Sequence, residues 1–229
     1  MKRTLLLLTI IIACSQAIAQ APMGMGTISG KTTKIDKNAV LIQGKYLYNK
    51  EWQRGAIQMR PGNVIHMKQM KVNFFTDAVE YPKGNEEMST TLENVRKVVV
   101  FTDADSTKVE ATFGVFPFGE TKNPSFYQVL NDGKFQLMKH NKVGTNKMRV
   151  DPIVGQSETL YFYSAVSFYV SRDGKLIELK GLSKSNVFEV VPEAEAASEW
   201  LSSHKNKLKK EEDVVALFDY LNSQAPQGQ

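Results

Sequence analysis

Three isolated histidines, one cysteine and scattered carboxylates are the catalytic inventory of this 229-residue chain. His66, His140 and His204 lack the His-x-x-x-His spacing that sets two metal ligands on one helix face. Asp103-Ala104-Asp105 opens like a calcium loop, but such a loop needs Gly sixth and Glu twelfth, and here Lys108 and Gly114 stand there. A lysine inside an oxygen cage repels the cation. Glu86-Glu87 and Glu211-Glu212-Asp213 read as a loop and as a charged first helical turn, since sequence neighbours do not make a catalytic carboxylate pair. No Gly-x-Ser-x-Gly elbow occurs, and the only thiol is Cys14. The expectation is a protein without catalytic residues, metal or cofactor.

Binding chemistry is better represented. Tyr46, Tyr48, Trp52, Tyr161, Tyr163 and Tyr169 can bury large areas while keeping one polar end wet. Core or rim packing accounts for such residues. As ligand contacts the candidates are Trp52, in the connector 49–54, and Tyr161, Tyr163 and Tyr169. Two basic runs, 139–149 and 205–210, read as solvated loops, with anionic lipid headgroups or acidic glycans as the sharper alternative.

The start of the chain is an address. Lys2 and Arg3 precede an apolar run, and the run ends in small residues, the pattern of a secretory signal peptide. It is shorter than the roughly 20 apolar residues that span a bilayer. Ala17-Ile18-Ala19 favours cleavage after Ala19. Ile11-Ile12-Ala13-Cys14 resembles a lipobox and offers the alternative, lipidation at Cys14 and a membrane tether. Neither leaves a thiol for a disulfide framework. Loss of Lys2 and Arg3 lowers the formal charge of +5 by two, too little to argue for nucleic acid. The mature chain contains no apolar stretch for a transmembrane helix.

These residues need a scaffold, and from 39 to 182 the punctuation is that of an antiparallel sheet. Short runs rich in Val, Ile, Phe and Tyr alternate with turn dipeptides. Strands are expected over 40–48, 55–60, 64–68, 71–76, 97–102, 109–116, 126–130, 134–140, 159–171 and 175–180. Pro61-Gly62 fits a type II turn, and Asp132-Gly133 and Asp173-Gly174 are hairpin signals. Gaps this short leave no room for crossover helices. In 159–171, one face alternates Leu160, Phe162, Ser164, Val166, Phe168 and Val170; the other carries Tyr161, Tyr163, Ala165, Ser167 and Tyr169. A strand of that length is expected to bend or bulge.

After Leu182 the period changes to helical. Ser183 caps a first helix over 184–191, and Pro192 opens a second over 193–203. Val214, Leu217, Phe218 and Leu221 form the apolar stripe of a third, over 211–222. The expected fold is mainly β, an antiparallel meander, sandwich or curved half-barrel, α+β overall through its C-terminal helical cap. The expected order is signal peptide 1–19, flexible leader 20–38, β domain 39–182, helical segment 183–223 packed on it, and disordered tail 224–229.

With Tyr46-x-Tyr48-x-x-x-Trp52-x-x-Gly55-x-Ile57, Asn73-Phe74-Phe75, the Phe-Tyr/Asp-Gly-Lys hairpins and the ending from Lys209 to Asn222, the chain resembles uncharacterised exported β-rich proteins of Gram-negative bacteria. That resemblance implies envelope placement and carries over no functional residue. The functional expectation is an exported envelope binding or structural protein, periplasmic, extracellular or tethered, whose partner is another envelope protein, a glycan or a lipid. The alternative is a periplasmic carrier of a lipid or other hydrophobic ligand, with methionines lining an apolar pocket.

Overall fold

The computed structural model describes residues 32–34, 41–43, 46–102, 108–118, 123–149, 158–172 and 175–224. Cys14, Ala19, Asp103, Asp105, the Asp173-Gly174 pair and the tail beyond Gln224 lie outside them.

Twelve strands among the described residues join in one sheet. They are β1 (Thr32–Lys34), β2 (Leu41–Gln43), β3 (Gln53–Met59), β4 (Val64–Asn73), β5 (Ala78–Lys83) and β6 (Glu86–Thr91). Then come β7 (Val95–Phe101), β8 (Val109–Phe118), β9 (Asn123–Val129), β10 (Gln136–Arg149), β11 (Glu158–Arg172) and β12 (Lys175–Leu179). Their order is β1-β6-β5-β4-β3-β7-β8-β9-β10-β11-β12, with β2 beside the far end of β11. Every pair is antiparallel except β2 with β11, a parallel exception to the sequence reading.

The sheet is curved and does not close into a barrel. Three residues, Leu92 to Asn94, carry the chain from β6 to β7, although β5, β4 and β3 lie between those strands in the sheet. Four peptide units reach at most about 14 Å, so β4–β6 must fold back over β3 and β7. Leu92 is itself fully buried in the resulting core. Ile57, Met70, Val72, Phe74, Val79, Val98, Val100, Phe113 and Phe126 fill that interior. Phe113 meets Tyr48, Phe74 and Phe126 edge-on at 5.1, 5.8 and 5.8 Å, the geometry aromatic quadrupoles prefer.

A second core lies under the helices. Leu137, Val170 and Leu179 from β10, β11 and β12 pack against Val187 of α1 (Lys184–Val190), Leu201 of α2 (Ser198–Ser203), and Val214, Leu217, Phe218 and Leu221 of α3 (Glu211–Gln224). Ser183 caps α1 by accepting from the Asn186 N–H. The expected second helix is instead a 3-10 turn, Pro192–Ala197, running into α2. Lys139–Glu211 and Arg172–Glu193 ion pairs, 2.8 and 2.7 Å, fasten helices to sheet. No helix among the described residues is long and apolar enough to cross a membrane.

Several local expectations change. The runs 64–68 and 71–76 are one strand, β4, ending at Asn73, whose carboxamide oxygen accepts from Phe75 and Thr76 N–H and turns the chain. Within the anticipated strand 40–48 the described residues form β2 and a bridge from Leu47 to Asn73, and the Asn49 side chain bonds Met70 O and Val72 N. β1 falls inside the expected flexible leader, and the β5–β6 hairpin was not anticipated. The basic run 139–149 is strand rather than loop. The Asp132-Gly133 turn is a wider loop, because Asn222 of α3 accepts from Phe135 N–H and donates to Asp132 O and Phe135 O. Gly133, at φ 120°, sits against Asn222 where a side chain would collide.

Candidate functional site

β10 and β11 form the dominant structural unit: fourteen consecutive pairs from Gln136↔Ser171 to Arg149↔Glu158, with no register shift and hence no bulge between them. β9 supports β10 only at Met138, Lys139 and His140. β12 supports β11 only from Phe168 to Arg172. The distal half of the hairpin therefore reaches beyond its neighbours, steadied by β2 at Thr159–Tyr161. Its two faces differ, because paired residues share a face. On one face Phe162 packs against Tyr46 and Phe75, both at 4.8 Å, and Val143 touches the main core. The other face carries Tyr163 opposite Gly144, Ala165 opposite Lys142, Ser167 opposite His140 and Tyr169 opposite Met138. Tyr163 is 55% exposed, and its ring covers Gly144, where any side chain would collide with it. A glycine opposite an aromatic residue lets the ring lie flat on the strand.

The candidate residues named from sequence are not gathered into one pocket. Tyr163 and Tyr169 share the tyrosine face of β11, and Tyr161 pairs with Asn146 farther along the strand. Tyr169 is half-buried and packs edge-on to Tyr127 at 5.2 Å. Trp52 stands apart, just before β3, with Lys71 Nζ 4.2 Å from its ring centre. His66 is exposed on β4. His204 ends α2, stacked at 4.5 Å on Trp200, which also stacks on Tyr220 at 4.9 Å. Among the described residues no three His, Cys, Asp or Glu side chains gather as a metal cluster.

A polar chain that sequence reasoning missed begins at the buried end of the tyrosine face. His140, expected at a strand end, is in mid-strand and 3% exposed. Its Nε2 is 2.9 Å from Ser125 Oγ, and Ser125 Oγ donates to Asp77 Oδ1 at 2.8 Å. Asp77 Oδ1 also accepts from the Phe126 N–H at 3.2 Å. The cause is the fold: upstream of Tyr127, β9 separates from β10, and the turn after β4 inserts Asp77 where the ladder stops. Asp77 holds a φ of 46°, a conformation aspartate tolerates better than most residues.

The direction of the protons follows from the donors. An ionised Asp77 only accepts, so Ser125 gives it the hydroxyl proton, and His140 must donate Nε2–H to Ser125. Burial, then the charge of Lys142, lowers the His140 pKa from 6.5 to about 4, keeping the ring neutral at pH 7. Burial raises the Asp77 carboxyl against the opposing pull of Ser125 and Phe126. Burial, aided by Tyr169, Asp77 and Glu178, also raises the Tyr127 phenol. A nucleophilic serine needs a base to take its proton and an open approach. Here the hydroxyl proton points at Asp77, His140 faces Ser125 as a donor, and Ser125 is 2% exposed. The chain satisfies Asp77 Oδ1, Ser125 Oγ and His140 Nε2 where two strands part.

No protein-family model matches this chain, and no curated protein or solved structure matches it.

Proposed function

We propose that this protein is an exported, non-catalytic binding or structural component of the bacterial envelope, and that its contact surface is the outer half of the β10–β11 hairpin. One observation carries the reading. The nine distal pairs, from Asn141↔Val166 to Arg149↔Glu158, extend past β9 and β12, and this part of the hairpin presents Tyr163 and Ala165 to solvent on one face and Val166 on the other. Tyrosine on a rigid strand offers broad, amphipathic contact area at low entropic cost. Small neighbours let a partner approach the backbone closely. The N-terminal address and the resemblance to exported β-rich proteins support envelope placement.

The carrier reading draws less support, because the side chains of Phe74, Phe113, Phe126 and Met70 occupy the space enclosed by the curved sheet. The test is retention on isolated envelopes. Tyr163→Ser combined with Val166→Ser is expected to release the protein into the wash while its melting temperature stays near that of the parent. Equal retention of both proteins would remove the hairpin from the reading. Hydrolase activity lost on Ser125→Ala or His140→Gln would overturn the non-catalytic assignment. Mass spectrometry of the N-terminus separates Gln20, a released protein, from lipidated Cys14, a tethered one.

A further inference from the structure

We propose a second binding site on the helical segment, distinct from the hairpin and independent of it: a lysine-walled cavity that takes a phosphate oxyanion. The cavity measures about 310 Å³ and lies between the start of α1 and the loop joining α2 to α3. Lys184, Lys205 and Lys207 line it together with Ser202 and Asn206, over a floor of Leu201 and Leu208. No Asp or Glu is among these lining residues. The ion pairs that fasten this region use Lys139, Arg172 and Lys180, so among the described residues the three lining lysines have no carboxylate partner.

The loop is built rather than slack. Asn206 turns inward, donating to Asp213 O at 2.7 Å and accepting from Leu208 N–H at 2.9 Å. Asp213 accepts from the N–H groups of Lys209 and Lys210, the reciprocal half of a capping box at the head of α3. Lys205 and Leu208 adopt φ of 52° and 53°, left-handed conformations that these residue types rarely take. Lys205 takes that conformation as the residue that ends α2, its N–H donating to Ser202 O at 3.2 Å and the Asn206 N–H to Leu201 O at 2.9 Å. The loop thereby places Lys205 and Lys207 on the wall of one cavity.

The three lysines rim one open space, Lys184 with its Nζ over the Phe188 ring at 5.1 Å, and a multiply charged anion placed there is attracted by all three. Phosphate fits best: it carries up to two charges and several acceptor oxygens, and lysine binds it as a point charge. The size is at the lower end for ligand pockets, roughly 300–1,000 Å³, and suits a phosphate ester whose carbon body rests on Leu201 and Leu208.

The test is a titration of the isotope-labelled protein with inorganic phosphate at low ionic strength, followed by amide NMR shifts. Saturable shifts at Lys184, Ser202 and 205–208 are expected, and their saturation should be lost when Lys184, Lys205 and Lys207 are all changed to Gln. Non-saturating shifts, or equal shifts with chloride at matched ionic strength, would overturn the site. So would unchanged binding in the triple variant. Flotation with phosphatidylglycerol vesicles, against phosphatidylcholine vesicles, identifies the source. Lysine-dependent flotation on the anionic vesicles assigns the phosphate to a lipid headgroup, whereas saturable phosphate shifts without flotation assign it to a soluble ester.

Discussion

Acidification should destabilise the protein through His140, by an amount that follows from its burial. The ring is neutral in the folded state, with a pKa near 4 against 6.5 for a solvated imidazole. The unfolded chain therefore binds a proton first as the pH falls. The contribution is complete above pH 6.5, declines between 6.5 and 4, and is gone below. At 1.36 kcal/mol per pKa unit the loss is about 3 kcal/mol. The groups facing the ring are Ser125, Asp77 beyond it, Tyr127, Tyr169 and Lys142. Asp77 works in the opposite sense: its raised pKa makes the folded state take up its proton first, adding stability as the pH drops. A variant must therefore isolate the histidine. His140→Gln retains an N–H for Ser125 but cannot charge. Urea unfolding of both proteins at pH 7.5 and pH 4 gives a double difference in which contributions common to both, including Asp77 held by Ser125 in each, cancel. That difference should be about 3 kcal/mol, with the variant flatter across pH. A value under about 1 kcal/mol would refute the reasoning, because it would mean the buried ring gains its proton as easily as a solvated one.

Three further outcomes test the scaffold. Asp77→Asn should leave stability at pH 7 equal or raised, since the amide oxygen can still accept from Ser125 and Phe126 and a desolvated charge is gone, whereas Asp77→Ala should cost about 1–3 kcal/mol in urea unfolding. Asn222→Ala should lower stability in urea unfolding by about 1–3 kcal/mol by freeing the β9–β10 loop from α3, and limited proteolysis should then nick the chain near Gly133. Phe113→Ala, at a fully buried position touching three other aromatic rings, should cost about 3–5 kcal/mol by calorimetric or chemical unfolding.

The mostly β body with a helical end could be read from the chain because those elements are patterned by burial on one side. The alternation of Leu160 to Val170 with Tyr161 to Tyr169 sets both faces of β11, and Val214, Leu217, Phe218 and Leu221 mark the buried side of α3. Elements without that pattern stayed hidden. β6 reads Glu-Glu-Met-Ser-Thr-Thr, and its hairpin partner contains Pro82, so both resemble loops. From Asn141 onward the sequence of β10 is mostly polar and basic, and its pairing to β11 is not legible in that composition. The Asp77–Ser125–His140 chain had no signal at all, because its members are 48 and 15 residues apart and meet only where β9 leaves β10. The lysine cavity was half legible: 205–210 is conspicuous, but only the fold sets Lys184 beside it.

The placement of β1 and β2 bears on when this molecule can finish folding. β1 adds to one margin of the sheet, at β6, and β2 adds near the opposite margin, at β11, with only six residues between them. Residues 41–43 leave the ribosome early, yet their partners at 159–161 emerge only after more than half the chain has been made. Pairings so distant in sequence form slowly. This clasp is thus a late step, and the two margins of the sheet are joined only once most of the chain has been made.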